Sequence, residues 1–224
     1  VGVAGIAFDA FGTLFDLEGL RPALGDELFD AFVARLVPWS WHATVAEHYR
    51  PFPKLAELAL RSAAREVRVD LSDEEAGGLA GPLSALPAFP DVPECLAALV
   101  PRWPLAVLSN GTRDGIEQLV AGAGLSERFT HRLAADEVRR FKPAPEVYAL
   151  AVAAFGCAPD EVLLVSSNEW DIAGAQQAGL RGAWVARGRP ATGALGVEPD
   201  LTVDELAELS GALDTWDAPP AHPG

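Results

Sequence analysis

Asp9, Ser109, Lys142 and Asp171 bring a carboxylate, a hydroxyl, an ammonium and a second carboxylate into one chain, each beside an apolar run or at the start of a helical segment. Such a set can supply a nucleophile, a cation that keeps it ionised, and a second carboxylate to manage water. Asp9 stands in Phe8-Asp9-Ala10-Phe11-Gly12-Thr13-Leu14, straight after the apolar residues 3–8. An ionisable group at the end of a buried strand is costly unless it is paired or used. At the carboxyl end of a parallel strand it faces the crevice in which open α/β sheets bind ligands. Gly12 lets the backbone turn closely there. Leu108-Ser109-Asn110-Gly111-Thr112 adds hydroxyl and amide donors, Lys142 precedes Pro143, and Val165-Ser166-Ser167-Asn168-Glu169-Trp170-Asp171 ends in the second carboxylate. Each piece alone reads equally as a turn, a solvated lysine or a helix cap. Their order is what suggests a site.

The elements that must position these residues follow from the apolar pattern. Runs at 5–9, 105–109, 162–166 and 182–186 read as strands, and 114–123, 145–155 and 170–178 as helices. This alternation predicts an α/β fold: a Rossmann-like three-layer core with a parallel sheet and right-handed crossovers. Residues 17–89 break the rhythm, with helices expected over 18–36, 40–49, 53–69 and 72–83. Leu55, Leu58, Ala59 and Ser62 share one helical face. Ser72 and Glu75 are spaced as a capping box, and Pro51, Pro53, Pro87, Pro90 and Pro93 punctuate the ends. The expectation is an all-helical cap, 17–89, inserted after the first strand of a core made of 1–16 and 90–224, placed as a lid above Asp9. A last helix is expected at 203–213, with fraying from Asp214.

Composition narrows the function classes. The 224 residues suffice for one sizeable core, and 50% are hydrophobic. Apolar runs fall short of a membrane span. A net charge of −15 disfavours nucleic acid and anionic membranes as partners and makes any anionic ligand depend on local donors. Cys95 and Cys157 are isolated, and His42, His48, His131 and His222 lack metal-ligand spacing. No signal-peptide pattern opens the chain, and a start at Val1 with no Met anywhere reads as trimmed or processed. A reduced, cytoplasmic setting is expected. Lys54 and Lys142 are the only lysines among 17 basic residues, so an ammonium at 142 stands out against an arginine background.

The order Asp9, Ser109, Lys142, Asp171 resembles the haloacid dehalogenase superfamily over the whole chain. In that superfamily the first Asp forms a covalent intermediate under an inserted helical cap. Most members resembling this pattern are Mg²⁺-dependent phosphotransferases, with an acid/base Asp two residues after the nucleophile and a Gly-Asp pair before the last acid. Here Phe11 and Ser166-Ser167 stand in those places. A phenyl ring transfers no proton, and two hydroxyls are poor Mg²⁺ ligands. The same departures resemble the type II (S)-2-haloacid dehalogenases: Asp9-Ala10-Phe11-Gly12-Thr13-Leu14, Lys142-Pro143 with Val147-Tyr148, and above all Ser166-Ser167-Asn168-Glu169-Trp170-Asp171.

That resemblance implies a hydrolytic dehalogenase converting short (S)-2-haloacids to 2-hydroxyacids through an aspartyl ester, with inversion and with no metal or organic cofactor. It implies Asp9 as nucleophile; Thr13, Ser109 and Lys142 as donors to the substrate carboxylate, with Thr13, Ser166 and Lys142 favouring ionised Asp9; and Tyr148 holding Lys142 or the substrate carboxylate. Asp171 would manage the hydrolytic water with Asn168 and Ser166. Ala10, Phe11, Asn110 and Trp170 would line the substrate and halide pocket. Partners would be a 2-haloalkanoate and halide, with a homodimer common in the subgroup and the Trp39–Trp41 region a candidate surface. The halide-guiding arginine of the family precedes an aromatic pair, here Trp39-Ser40-Trp41. The family's spacing lands on Val33; Arg35 takes the role if Pro38 kinks or ends the helix and shifts the register. The alternatives are a Mg²⁺-dependent phosphomonoesterase of the same superfamily, or a non-catalytic relative that binds a small carboxylate or a protein.

Overall fold

The computed structural model describes residues 2–190, 193 and 196–216. The tail expected to fray lies largely outside the described residues; its first part, Asp214 and Thr215, is helical. Among the described residues six strands form one parallel sheet: β1 (Gly5–Phe8), β2 (Leu105–Ser109), β3 (His131–Ala134), β4 (Val162–Ser166), β5 (Arg181–Val185) and β6 (Leu201–Val203), in the order β3-β2-β1-β4-β5-β6. The residues of β1, β2, β4 and β5 are buried throughout, as parallel strands covered on both faces must be. Gly5 leaves room for the Phe155 ring, which would lie 2.5 Å from an added Cβ.

The core helices are α5 (Val92–Leu99), α6 (Arg113–Gly122), α7 (Pro145–Phe155), α8 (Glu169–Gln177) and α9 (Leu209–Thr215). The chain winds outward from β1 through β2 to β3, then returns to β4 and winds the other way. Right-handed crossovers therefore put α5 and α6 on one face and α7 and α8 on the other. β1 and β4 are neighbours at the point where the winding reverses, paired from Gly5↔Val162 to Phe8↔Val165. That is where an open α/β sheet leaves a crevice at its carboxyl edge.

Two strands differ from the sequence expectation. β3 begins with His131 and Arg132, half-buried polar residues that show no apolar run, and β6 is a three-residue edge strand. The helix expected over 203–213 is accordingly divided: β6 takes its start, a 3₁₀ turn spans Leu206–Glu208, and α9 follows.

Between β1 and α5 the regular elements are all helical: a 3₁₀ turn Leu17–Leu20, α1 (Arg21–Leu24), α2 (Asp26–Val45), α3 (Phe52–Glu66), α4 (Asp73–Ala80) and a 3₁₀ turn Gly81–Ser84. The expected capping box is present, with Ser72 Oγ accepting from Glu75 N–H at 3.2 Å and Ser72 N–H donating to Glu75 Oε2 at 2.9 Å. The expected break at Pro38 is absent: α2 runs straight through it, and the chain breaks at Gly25 instead, with φ +74°. An interior proline costs about 3 kcal/mol. Buried Leu28, Phe29, Phe32 and Leu36 before it, and Ser40 and Ala43 after it, hold one continuous packing face that outweighs this. α2 packs on α3 and α3 on α4. The block leaves and rejoins the sheet through two linkers tied together by Asp16 N–H to the Pro87 carbonyl (2.9 Å) and Phe89 N–H to the Leu14 carbonyl (3.0 Å).

Candidate active site

Asp9 is the first residue after β1, and its N–H donates to the Val165 carbonyl of β4 at 2.9 Å, extending the sheet by one bond. The chain then turns sharply, with Leu14 N–H and Phe15 N–H both donating to the Ala10 carbonyl. Gly12 sits at φ +80°, a conformation a side chain would strain, and its carbonyl accepts from Ser167 Oγ at 2.6 Å. This turn brings the Thr13 hydroxyl back to Asp9 Oδ2 at 3.0 Å. Asn168, at the N-cap of α8, donates through Nδ2 to the same oxygen at 3.1 Å. Asp9 Oδ1 accepts from Lys142 Nζ at 3.0 Å.

Lys142 is fully buried and makes a second charged bond, to Asp171 Oδ2, at 2.8 Å. Asp171 is also fully buried; its Oδ1 accepts from the Tyr148 hydroxyl at 2.8 Å. Burial is the largest single influence on the Lys142 ammonium and disfavours it, but Asp171 and Asp9 together outweigh burial and hold its pKa above the ordinary lysine value. Burial likewise pushes the Asp171 carboxyl up; Lys142 and the Tyr148 hydroxyl oppose this, and Asp9 adds to it. The Tyr148 hydroxyl is raised by burial first and by the Asp171 charge second. Two carboxylates thus share one ammonium in a site nearly closed to water.

The remaining expected residues divide. Ser109 is buried at the end of β2, with its Oγ accepting from Gly111 N–H at 3.0 Å, and Asn110 Oδ1 accepts from Lys142 N–H at 2.8 Å. The latter bond fixes the Asn110 amide, leaving its NH₂ as the free-standing donor end. Tyr148 bonds Asp171, not Lys142. Ser166 does not bond Asp9; its Oγ accepts from Asn168 N–H at 3.2 Å. Ala10 is buried inside the turn, and Phe11 stacks on Phe52 of α3 with ring centroids 5.4 Å apart. Trp170 meets Trp41 of α2 edge-on at 5.6 Å. Arg35 is not brought to the cluster: its guanidinium bonds Ser62, the Ala31 carbonyl and Glu66. α2 also does not end at Pro38, the helix end that would have shifted the register around Arg35.

Ser167, read in the sequence only as part of a motif and given no role, and Gly174, not singled out at all, both belong to the site. Ser167 N–H donates to Thr13 Oγ1 at 2.9 Å, so this serine, not Ser166, locks the Thr13 hydroxyl. At Gly174 an added Cβ would fall 2.5 Å from both Tyr148 Oη and Pro143 Cβ. The glycine is what lets α7 bring Tyr148 against α8. Beside the cluster a cavity of about 360 Å³ lies between the helical block and the core, bordered by Phe11, Phe52, Leu83, Gly111, Ile116 and Leu119. It is more apolar than the cluster and is lined by none of Asp9, Lys142 or Asp171. Among the described residues no group of three or more His, Cys, Asp or Glu is arranged to hold a metal ion, and no helix is long and apolar enough to cross a membrane.

The model of the haloacid dehalogenase-like hydrolases matches residues 3–179. The (S)-2-haloacid dehalogenase of Pseudomonas sp. (strain YL) is 33% identical over 221 residues, 95% of each chain. The L-2-haloacid dehalogenase of Xanthobacter autotrophicus superposes with a TM-score of 0.89 at 29% identity, covering 96% of this chain and all of that one. The same enzyme with chloropropionic acid covalently bound gives 0.88 at 28% identity, with the same coverage.

Proposed function

Because the chain belongs to the haloacid dehalogenase-like hydrolases, we propose that it is a hydrolase acting on carbon–halide bonds, converting short (S)-2-haloacids to (R)-2-hydroxyacids. The observation that carries this reading is the surroundings of Asp9: Phe11 stands two residues on and stacks on Phe52, and Ser167, in place of a second acid, is bonded to the Thr13 hydroxyl and the Gly12 carbonyl. Phosphoryl transfer in this fold would need a divalent cation at the Asp9 carboxylate and a proton donor two residues on. Here the second position is Phe11, and Ser166-Ser167 stand where an acid would help hold the cation. No metal and no organic cofactor enters the proposed reaction.

Asp9 Oδ1 carries one donor and Oδ2 carries two. The less encumbered Oδ1 is the attacking atom. Its lone pair forms a bond to C2 as the C2–halogen bond breaks on the far side, and the halide leaves with that electron pair. C2 is inverted, and Asp9 becomes an ester whose carbonyl oxygen is Oδ2. Thr13 and Asn168 then point at the oxygen on which charge develops when water attacks the ester carbonyl, where such preorganised donors act most strongly. Asp171 takes the water's proton as the water oxygen bonds to Asp9 Cγ. The tetrahedral intermediate then collapses with cleavage of the Cγ–Oδ1 bond. Oδ1 leaves on C2 and takes the proton from Asp171 to become the hydroxyl of the hydroxyacid, and the water oxygen completes the Asp9 carboxylate, with C2 untouched by this second step.

Ser109, Asn110 and Lys142 serve the substrate carboxylate, and Ala10, Phe11, Asn110 and Trp170 the substrate chain and halide. The helical block 17–89 serves as a cap, its Phe52 and Trp41 meeting Phe11 and Trp170 above the sheet edge; it excludes bulk water while halide is displaced. Cytoplasmic action and a homodimer belong to the same proposal, and sedimentation equilibrium would read twice the chain mass.

The test uses (S)-2-chloropropionate with EDTA. Chloride release at an undiminished rate and (R)-2-hydroxypropionate as product support the reading; activity lost on chelation overturns it. A single turnover in ¹⁸O-water places the label in Asp9, read by mass spectrometry of the peptide; label found only in the product overturns the ester.

A further inference from the structure

Arg187 lies two residues beyond β5, outside every motif above, yet its guanidinium meets three parts of the molecule that matter to Asp9. Nη2 donates to the Thr13 carbonyl at 2.7 Å. Nη1 and Nη2 both reach the Asp91 carboxylate at 3.3 Å. The plane rests on the Phe89 ring, 3.7 Å from its centroid. Thr13 lies at the start of the outgoing linker of the helical block, and Phe89 and Asp91 belong to the returning one. A single cation therefore joins both linkers to the turn that carries the nucleophile.

The arrangement is built, not incidental. Arg187 has φ +46°, an unfavourable backbone conformation for a residue with a side chain, and is held there by its N–H to the Asp204 carbonyl at 2.9 Å. Asp91 is fixed in turn by Leu206 N–H at 2.7 Å. Arg187 Nε is buried with no hydrogen-bond partner, so the side chain forgoes one bond to keep its other contacts. What the contact controls follows from the Thr13 backbone. With its carbonyl pinned by Arg187 and its hydroxyl accepting from Ser167 N–H at 2.9 Å, Thr13 has two acceptors in reach of its hydroxyl proton, Ser167 Oγ at 3.2 Å and Asp9 Oδ2 at 3.0 Å; the nearer one is charged and favoured.

We infer that Arg187 is a positioning residue of the dehalogenation: it acts through Thr13 to aim the Asp9 carboxylate, and it couples that aim to the linkers of the helical block. The inference rests on the dehalogenase reading above. An error on the order of an ångström in the attacking atom costs about a hundredfold in rate, without a matching loss of substrate binding.

The experiment compares wild type, Arg187→Lys and Arg187→Ala on (S)-2-chloropropionate. A lysine keeps the charge beside Asp91 but one ammonium cannot also hold the Thr13 carbonyl in the planar geometry of a guanidinium. Arg187→Lys is expected to lose at least about tenfold in kcat with KM within about twofold. Arg187→Ala is expected to lose more, and to recover in part with methylguanidinium chloride but not with sodium chloride at equal ionic strength. Arg187→Lys with kcat within twofold of wild type, or a loss confined to KM, overturns the inference, as does Arg187→Ala that recovers equally in both salts. Should the alanine variant not fold, the lysine variant decides alone. No chloride from the wild type would instead overturn the dehalogenase reading.

Discussion

Lys142 Nζ donates to Asp171 Oδ2 at 2.8 Å with both side chains at 0% exposure, so the positive charge shared by the two carboxylates of the cluster is a buried one. Its desolvation is compensated because Asp9 accepts from the same ammonium. Lys142→Met would leave two facing carboxylates with no cation, and such a pair cannot keep both charges. Breaking a buried pair by removing one partner costs about 3–5 kcal/mol. We expect urea unfolding to report a loss of that order and chloride release to fall below detection. A variant that unfolds at the wild-type midpoint would show that the pair contributes little to stability.

The pH profile tests the Asp171 role. As a base Asp171 works deprotonated, so activity falls as pH drops through its pKa, which burial raises above the ordinary 3.8. The acid limb of kcat/KM is therefore expected above the usual carboxylate range. Tyr148→Phe removes a hydrogen bond that opposes this rise, so the limb should move further toward neutrality. A limb that stays in place would separate Asp171 from the step. On the alkaline side burial disfavours the Lys142 ammonium but Asp171 and Asp9 outweigh it, so its folded pKa lies above 10.5. Its contribution to stability is complete below 10.5 and is lost as pH rises through the folded value, so alkaline unfolding should set in only beyond 10.5.

How far the sequence carried follows from which residues state their partners locally. Asp9 is a charge at the end of an apolar run, Lys142 and Asp171 stand at the starts of helical segments, and β1, β2, β4 and β5 are buried strands built on apolar runs; both kinds of signal are visible in a few consecutive residues. β3 and β6 take their strand character from the neighbours they pair with, Ala106↔His131 and Ala183↔Leu201, which no local pattern announces. Pro38 misleads because its intrinsic cost is local while the packing of α2 on α3 that offsets it is not. Ser167, Gly174 and Arg187 matter through contacts at sequence distances of 154, 26 and 174 residues; the motif around Ser167 does not state its partner Thr13, and the neighbourhoods of Gly174 and Arg187 look like an ordinary helix and loop.

Gly174→Ala probes one of those distant contacts. The added methyl would sit 2.5 Å from Tyr148 Oη and from Pro143 Cβ, well inside van der Waals contact. Relief requires Tyr148 to leave Asp171 or Pro143 to shift beside Lys142. Overpacking of this kind costs about 1–3 kcal/mol, and kcat is expected to fall with it. In a Tyr148→Phe background the hydroxyl clash is gone, so the same substitution should cost less activity than it does in wild type. Equal losses in both backgrounds would place the damage at Pro143 instead.

Arg35 separates what the local sequence suggested from what α2 permits. Its guanidinium bridges α2 to α3 through Ser62 and Glu66 and to the Ala31 carbonyl one turn back. Glu66 is 63% exposed, and ion pairs with one solvated partner contribute little. Arg35→Gln keeps a donor for Ser62 and should leave kcat/KM for (S)-2-chloropropionate within about threefold and the chloride inhibition constant unchanged. A hundredfold loss of kcat, or chloride affinity that collapses in the variant, would mean that Arg35 swings into the pocket during turnover, which α2 could accommodate only by opening its last turns at Pro38.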